Sequence, residues 1–411
     1  MTRLSSITSI HTKILLSLGA ALLGMNTANA ETVRIAVAHY SDQTLPYFEK
    51  MAKEFSKANP GITIKVEEVN WDSLQQKLQT DIVGGTNPDL SIVATRWLLD
   101  LVRDDVIEPL DARMTPAFKD KFIGAFINSG KVASKTYGLP ISASARGLYY
   151  NKAMLEKAGY PNGPKTWDEV IAASKKIKAT GAYGFGIQGK EIETEIYWFY
   201  SLWTNGGEVV DTNGKAVFDS AAGIKAANIY KSLIDQGLTQ PGVTSNSRED
   251  VQNLFKQGRL GMVITAPFLA RQIQKEKPGL QYGVTAIPQG SNAATFATTD
   301  SLILFKNSKV KTAAWQFSEF LFSKAARVAF TSGEGFLPTT KEEAADPAFN
   351  DAVTQSFISY LPTAKFAPVI AGWEDLSKIV ANAMQAVYLG KSKPEDALKT
   401  AALQANKMLK K

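Results

Sequence analysis

The sequence predicts an α/β fold made of two successive units. Strand-like and helix-like periodicities alternate from residue 33 onward, and a second such set begins near residue 147. A length of 411 residues is enough for two domain-sized cores. The composition, 45% hydrophobic and 21% charged, is ordinary for a globular chain and excludes a disordered or fibrous one. Neither an internal repeat nor a low-complexity linker interrupts it.

Val33, Ile35 and Val37 alternate as a first strand. Phe48, Met51, Ala52 and Phe55 then recur at helical spacing, with Pro46 suited to a first turn and Asn59-Pro60-Gly61 stopping the helix. A second strand covers 62–69, and the next helix carries Leu74, Leu78 and Ile82. The turn Asn87-Pro88-Asp89 leads into a third strand over 90–94. Such alternation predicts a parallel sheet with helices on both faces.

After Gly138-Leu139-Pro140-Ile141 a new strand runs through 147–150, and Thr166 with Glu169 forms a capping box that starts a helix. Helical patterns follow through Trp198, over 221–236 and over 251–257, before strand-like stretches at 261–265 and 282–288. Residues 313–322 and 376–389 read as amphipathic helices, and Pro394 opens a last one that reaches Leu409.

At the N-terminus, Arg3 and Lys13 flank a polar stretch, an apolar run covers 14–25, and Ala28-Asn29-Ala30 supplies small residues before Glu31. This predicts a signal peptide, residues 1–30, cleaved before Glu31. The apolar run is shorter than the roughly 20 residues a spanning helix needs. Cysteine is absent, which removes disulfides, thiolate chemistry, Cys-ligated zinc and a thioether-linked lipid, and favours a Gram-negative periplasm.

His11 leaves with the signal, so His39 alone remains and no His-pair metal site can form. Neither a metal nor a cofactor is expected. The net charge of +7 falls to +5 without Arg3 and Lys13, and the lysines are dispersed, so no nucleic-acid partner is expected.

Eight stretches in order then carry a family resemblance. They are G-G-T-N-P-D-L at 84–90, G-L-P-I at 138–141, L-Y-Y-N-K-A-M-L-E-K-A-G at 148–159 and P-K-T-W-D-E-V at 164–170. G-R-L-G-M-V-I-T-A-P-F at 258–268, K-N-S-K-V-K-T-A-A-W-Q-F at 306–317, G-F-L-P at 335–338 and P-E-D-A-L at 394–398 complete them. Most read as structural, with Trp167 and Trp315 in cores and Pro88 and Pro140 in turns. Together they resemble the family 1 extracellular solute-binding proteins, the group that contains the maltose-binding protein, over essentially the whole mature chain.

The resemblance implies an α/β, two-lobed periplasmic binding protein fold of type II, with a ligand cleft between the lobes. Residues 31–141 with 296–345 would form lobe 1, and 142–295 with 346–411 lobe 2. It also implies a monomeric, non-enzymatic subunit of an ABC importer that captures a sugar or polyol by hinge closure and delivers it to permease subunits.

A sugar needs planar polar partners for its hydroxyls and flat rings for its C–H faces. Ligands of open α/β sheets bind beyond the carboxyl ends of strands, which selects His39, Tyr40 and Asp42 in the first loop and Thr95, Arg96 and Trp97 in the third. Both loops match ligand-contacting loops of the family. His39 is either a contact or a supporting group, and Arg96 either a contact or an exposed arginine over a packed indole.

Ser144 and Arg146 lie near the crossover, Arg146 as a hydroxyl donor or an interlobe salt-bridge partner. In the second lobe the run Tyr197-Trp198-Phe199-Tyr200 is too aromatic for one buried stripe, so Trp198 is expected to face the cleft. Thr265 precedes Phe268, which stands where sugar-binding relatives often carry tryptophan. Asp300 and Glu334, on expected loops, and Trp373, just before a helix, complete the candidate set.

Gly184-Phe185-Gly186-Ile187-Gln188-Gly189 matches G-x-G-x-x-G, with Asp211 further on, but lies deep in the second unit and does not open a first βαβ turn. Gln188 is the more credible ligand contact there. A glycoside hydrolase would need two carboxylates at fixed separation, and no motif pairs Glu191, Glu193, Glu195 or Asp300. Within the binding class, Arg96 and Arg146 suit an anionic sugar such as a sugar phosphate, uronate or sulfonated sugar, whereas a polyamine would need a carboxylate-rich cleft.

Overall fold

A computed structural model describes residues 31–190, 193–368 and 370–409, and the expected signal peptide lies outside them. The first lobe opens with β1 (Glu31–His39), α1 (Thr44–Ala58), β2 (Ile62–Asn70), α2 (Trp71–Gly84), β3 (Leu90–Ala94) and β4 (Leu139–Ser144). The second lobe contains β5 (Gly147–Asn151), α3 (Trp167–Lys178), β6 (Tyr183–Phe185), α4 (Glu193–Thr204) and α5 (Ala221–Asp235). It continues through α6 (Arg248–Lys256), β7 (Leu260–Thr265) and β8 (Tyr282–Thr285). The chain returns to the first lobe for β9 (Thr298–Leu304), α7 (Lys311–Leu321) and α8 (Lys324–Glu334), and α9 (Trp373–Tyr388) and α10 (Pro394–Leu409) pack on the second.

Val33, Ile35 and Val37 of β1 are at 0% exposure, in one core with Phe48 and Phe55 of α1 and Leu74 and Leu78 of α2. Each such apolar side chain contributes about 1.5–3 kcal/mol when buried. Thr166 caps α3 as expected: its hydroxyl accepts from the Glu169 amide at 3.2 Å, and the Glu169 carboxylate accepts from the Thr166 amide at 3.3 Å.

The first sheet runs β2-β1-β3-β9-β4 and is not wholly parallel. β9 lies antiparallel to both β3 and β4 because the chain re-enters this lobe at the strand-end edge and must run away from it. The second sheet runs β8-β5-β7-β6, with β6 and β7 parallel.

Trp198 does not face the cleft. Trp198, Phe199 and Tyr200 are all at 0% exposure, and the Trp198 ring meets Phe218 edge-on at 5.8 Å. The reason is that α4 is enclosed by α5, α9 and Phe296, and a helix covered all round is apolar all round. The glycine motif is likewise structural: a side chain at Gly184 would meet Ser174 at 2.3 Å, so glycine lets β6 lie against α3. Asp211 is spent in a turn, accepting from the amides of Asn213 and Lys215.

Where the chain crosses between lobes, hydrogen bonds hold the crossings together. The Thr295 hydroxyl accepts from the Arg146 amide and donates to the Arg146 carbonyl, at 3.1 and 2.6 Å. The Leu337 amide donates to the Ala143 carbonyl at 2.8 Å. Behind them Arg327 of α8 is fully buried, donating to the Ile141 carbonyl at 2.7 Å and pairing with Glu343 at 3.3 Å. Glu343 in turn accepts from the amides of Thr339 and Thr340.

Removing one partner of such a pair strands a buried charge. Arg327→Ala is expected to lower stability by about 3–5 kcal/mol, against under about 1 kcal/mol for Lys306→Ala at the exposed Lys306–Asp105 pair. Urea-unfolding midpoints check this, and equal shifts for the two variants would refute it.

Candidate functional site

The carboxyl ends of β1, β2, β3 and β4 share one edge of the first sheet, and the reversed β9 begins at that edge, with Thr298 opposite Ser144 and Asp300 opposite Ala94. Asp300 therefore sits on a strand and not on the expected loop. Its Oδ2 accepts from the Tyr40 hydroxyl at 2.8 Å and the Ser142 hydroxyl at 2.5 Å. Beside it the Thr299 hydroxyl donates to Thr95 at 2.9 Å, and Thr95 and Ser301 hydroxyls are 2.8 Å apart. Ser144 lies 2.7 Å from the Thr298 hydroxyl and accepts from Arg146 Nη1 at 2.7 Å.

Glu334 is the last residue of α8, again not on a loop, and it braces the first-lobe entrance. Its two oxygens accept from Thr44 at 2.7 Å and Ser41 at 2.8 Å. His39 Nδ1 lies 3.1 Å from Glu68 of the adjacent strand. Gly335 follows at φ 78°, and a side chain there would meet Arg271 at 2.8 Å, so glycine lets α8 end against the second lobe.

Aromatic rings form the rest of this wall. Trp71 stacks on Trp97 at 5.8 Å and lies 6.0 Å from Tyr40 at a 32° tilt. The Arg96 guanidinium sits 5.9 Å over the Trp97 ring. From the opposite lobe Glu374, in the first turn of α9, accepts from Arg96 Nε at 2.6 Å and from the Trp97 indole at 2.9 Å. Burial raises the Asp300 pKa against the Ser142 and Tyr40 hydrogen bonds and the Arg96 and Arg146 charges. Burial also raises that of Glu334, opposed by Thr44, Ser41 and His39.

His39, Tyr40, Thr95, Arg96, Trp97, Ser144, Arg146, Asp300 and Glu334 are thus brought to one edge and its crossover. Asp42 is exposed in the turn beyond β1. On the second lobe Gln188 is buried after β6, and Phe268 is half-buried under the Arg248 guanidinium at 5.1 Å. Thr265 is buried with its hydroxyl taken by Gln252 at 2.7 Å. Trp373 is the first residue of α9 and is a core residue, 3% exposed, packed on Phe199 at 5.9 Å; the residue that reaches the cleft is its neighbour.

Sequence reasoning missed Trp71, Ser142 and Glu374. Trp71 directly follows β2, so the strand-end rule applied to the second loop finds it. Among the described residues no group of three His, Cys, Asp or Glu is placed to hold a metal ion, and no helix is long and apolar enough to cross a membrane.

The family model for bacterial extracellular solute-binding proteins matches residues 41–328. A protein of Brucella abortus (strain 2308), named only as a binding protein, is 53% identical over 399 residues, 96% of this chain and 97% of its own. A solute-binding protein from Thermotoga lettingae, bound with alpha-D-tagatose, matches with TM-score 0.84 at 27% identity over 92% of this chain and all of its own. The maltose-bound MalE3 of T. maritima matches with TM-score 0.85 at 25% identity, again over 92% of this chain. The two-lobed fold expected from the sequence is the one these structures share.

The raised Asp300 pKa gives a test of the site. A carboxyl that holds its proton more tightly folded than unfolded loses stability as pH climbs from its ordinary value, about 4, through the native one, and contributes a constant penalty above both. Asp300→Asn should therefore melt higher than the parent near pH 7, with the gap closing below about pH 4. A variant that melts lower at pH 7, with a gap independent of pH, would show that burial does not control this group.

Proposed function

Because the chain belongs to the family of bacterial extracellular solute-binding proteins, we propose that it is the receptor of an ABC importer and captures an uncharged sugar or polyol between its lobes. The observation that carries this reading is the first-lobe wall, where the hydroxyl and carboxylate set of Ser142, Thr95, Ser144 and Asp300 adjoins the row Tyr40, Trp71 and Trp97. Sugar hydroxyls match the first set and sugar C–H faces the second. The tagatose and maltose held by the two structural relatives belong to the same chemical class.

In this reading residues 31–141 with 296–345 and residues 142–295 with 346–411 move as two bodies about the crossings near Arg146, Thr295 and Leu337. Ligand binds one lobe and gains contacts to the other on closure, and differential affinity for the shut form drives the shift. The shut form, a monomer released in the periplasm after loss of residues 1–30, docks on the permease and performs no catalysis.

An anionic sugar is the second reading, and Arg146 favours it. The residue is 8% exposed and its guanidinium donates to the Ser144 hydroxyl, with no carboxylate within ion-pairing distance among the described residues. Arg96 argues the other way, since Glu374 already balances it. A polyamine fits less well because Asp300 and Glu334 are each occupied by two hydroxyl donors from the protein.

Melting of residues 31–411 is measured against neutral sugars, sugar alcohols, uronates, sugar phosphates and polyamines. A ligand at about 100 times its Kd adds about 2.7 kcal/mol, a rise of a few degrees. Shifts with neutral sugars are expected; shifts with acidic sugars alone would transfer the assignment to the second reading, and none with either would sink both.

A further inference from the structure

We propose that Glu374 determines the specificity of the cleft: it crosses from the second lobe to neutralise Arg96, reserving the site for uncharged ligands while fastening the closed lobes. The proposal rests on the sugar-receptor reading above and assigns one residue the choice between its two forms.

Glu374 is anchored in the second lobe. It follows Trp373, and Leu376 and Val380 of the same helix are at 0% exposure in the core of that lobe. Gly372 caps the helix at φ 75°, a conformation that costs other residues energy, and so turns the chain into α9 at the cleft. Arg96 and Trp97 belong to the other lobe, directly after β3. The contact is therefore made between the two bodies by protein atoms alone.

One oxygen, Oε1, takes both donors, at 2.6 and 2.9 Å. The second oxygen carries no hydrogen bond to a described residue in the same contact and is left for a ligand hydroxyl or water. Arg96 and Glu374 side chains are 22% and 18% exposed, so solvent screens the pair only in part. Among the described residues Glu374 is the one ion partner of Arg96. An acidic ligand approaching Arg96 must either displace Glu374 or sit beside its like charge, and both are unfavourable; a neutral hydroxyl meets neither obstacle.

The bridge also steadies the binding wall. Glu374 holds the Trp97 indole, Trp97 stacks on Trp71, Trp71 adjoins Tyr40, and Tyr40 donates to Asp300. One carboxylate from the second lobe thus fixes the near end of a row whose far end is the principal hydroxyl acceptor of the first.

The test uses residues 31–411 as wild type, Glu374→Gln and Arg96→Gln, each checked for cooperative melting. Calorimetric titration with glucose, galactose and maltose and with glucuronate and galacturonate gives the ratio of acidic to neutral affinity. Glu374→Gln is expected to raise that ratio about tenfold, the order supplied by one charge-assisted hydrogen bond, whereas Arg96→Gln is expected not to raise it. Both variants are expected to increase the solution-scattering radius of the protein without sugar, because each removes the Arg96–Glu374 charge attraction and leaves only hydrogen bonds across the cleft. A ratio unchanged in Glu374→Gln overturns the specificity role, and an unchanged radius in both variants overturns the fastening role. If wild type binds none of the five sugars, the sugar reading is what fails, and the scattering comparison still decides the bridge.

Discussion

The direction of one strand governs the rest of the molecule. β9 enters between β3 and β4 against the direction of both, so Thr298 and Asp300, at its start, come to the edge where the other strands end. Had it run parallel, Asp300 would stand at the far edge and Tyr40 and Ser142 would lack their shared acceptor. The reversal also places the Thr295 crossing beside Arg146, where a hydroxyl ties two chain passages together. The strand-end edge and the crossing between lobes are consequences of the same topological choice.

Electrostatics at the cleft is an arrangement of small, nearly balanced quantities. Asp300 and Glu334 are held among hydroxyl donors in surroundings that disfavour their charged forms. Arg96 is balanced across the cleft and Arg146 is not. Asp300 and Glu334 each keep two hydroxyl donors from the protein itself, so neither carboxylate depends on a ligand for its hydrogen bonds. The buried Arg327–Glu343 pair works differently: it is fully enclosed and holds β4 through the Ile141 carbonyl.

Much of this was readable before any coordinates. The period-two pattern of Val33, Ile35 and Val37 and the turn at Pro88 specify β1 and β3, because strand spacing and turn chemistry are local properties of the chain. The strand-end rule likewise places Tyr40, Thr95 and Arg96 at one sheet edge, where they follow β1 and β3. What escaped depends on neighbours distant in sequence. Trp198 looked surplus to a buried stripe because α9 and Phe296, which enclose its helix, lie about a hundred or more residues away. Glu374 is separated from Arg96 by 278 positions, and nothing in an acidic first turn of a helix reveals a cation across a cleft.

The distribution of indoles has a practical corollary. Of the seven tryptophans, six are 8% exposed or less, embedded in the cores of the lobes, and Trp71 alone is partly open to solvent. It stands on the cleft wall, coupled face to face with Trp97. In the reading proposed above Trp71 is a native optical reporter of the cleft, set against the five indoles other than Trp97 that have no part in its wall.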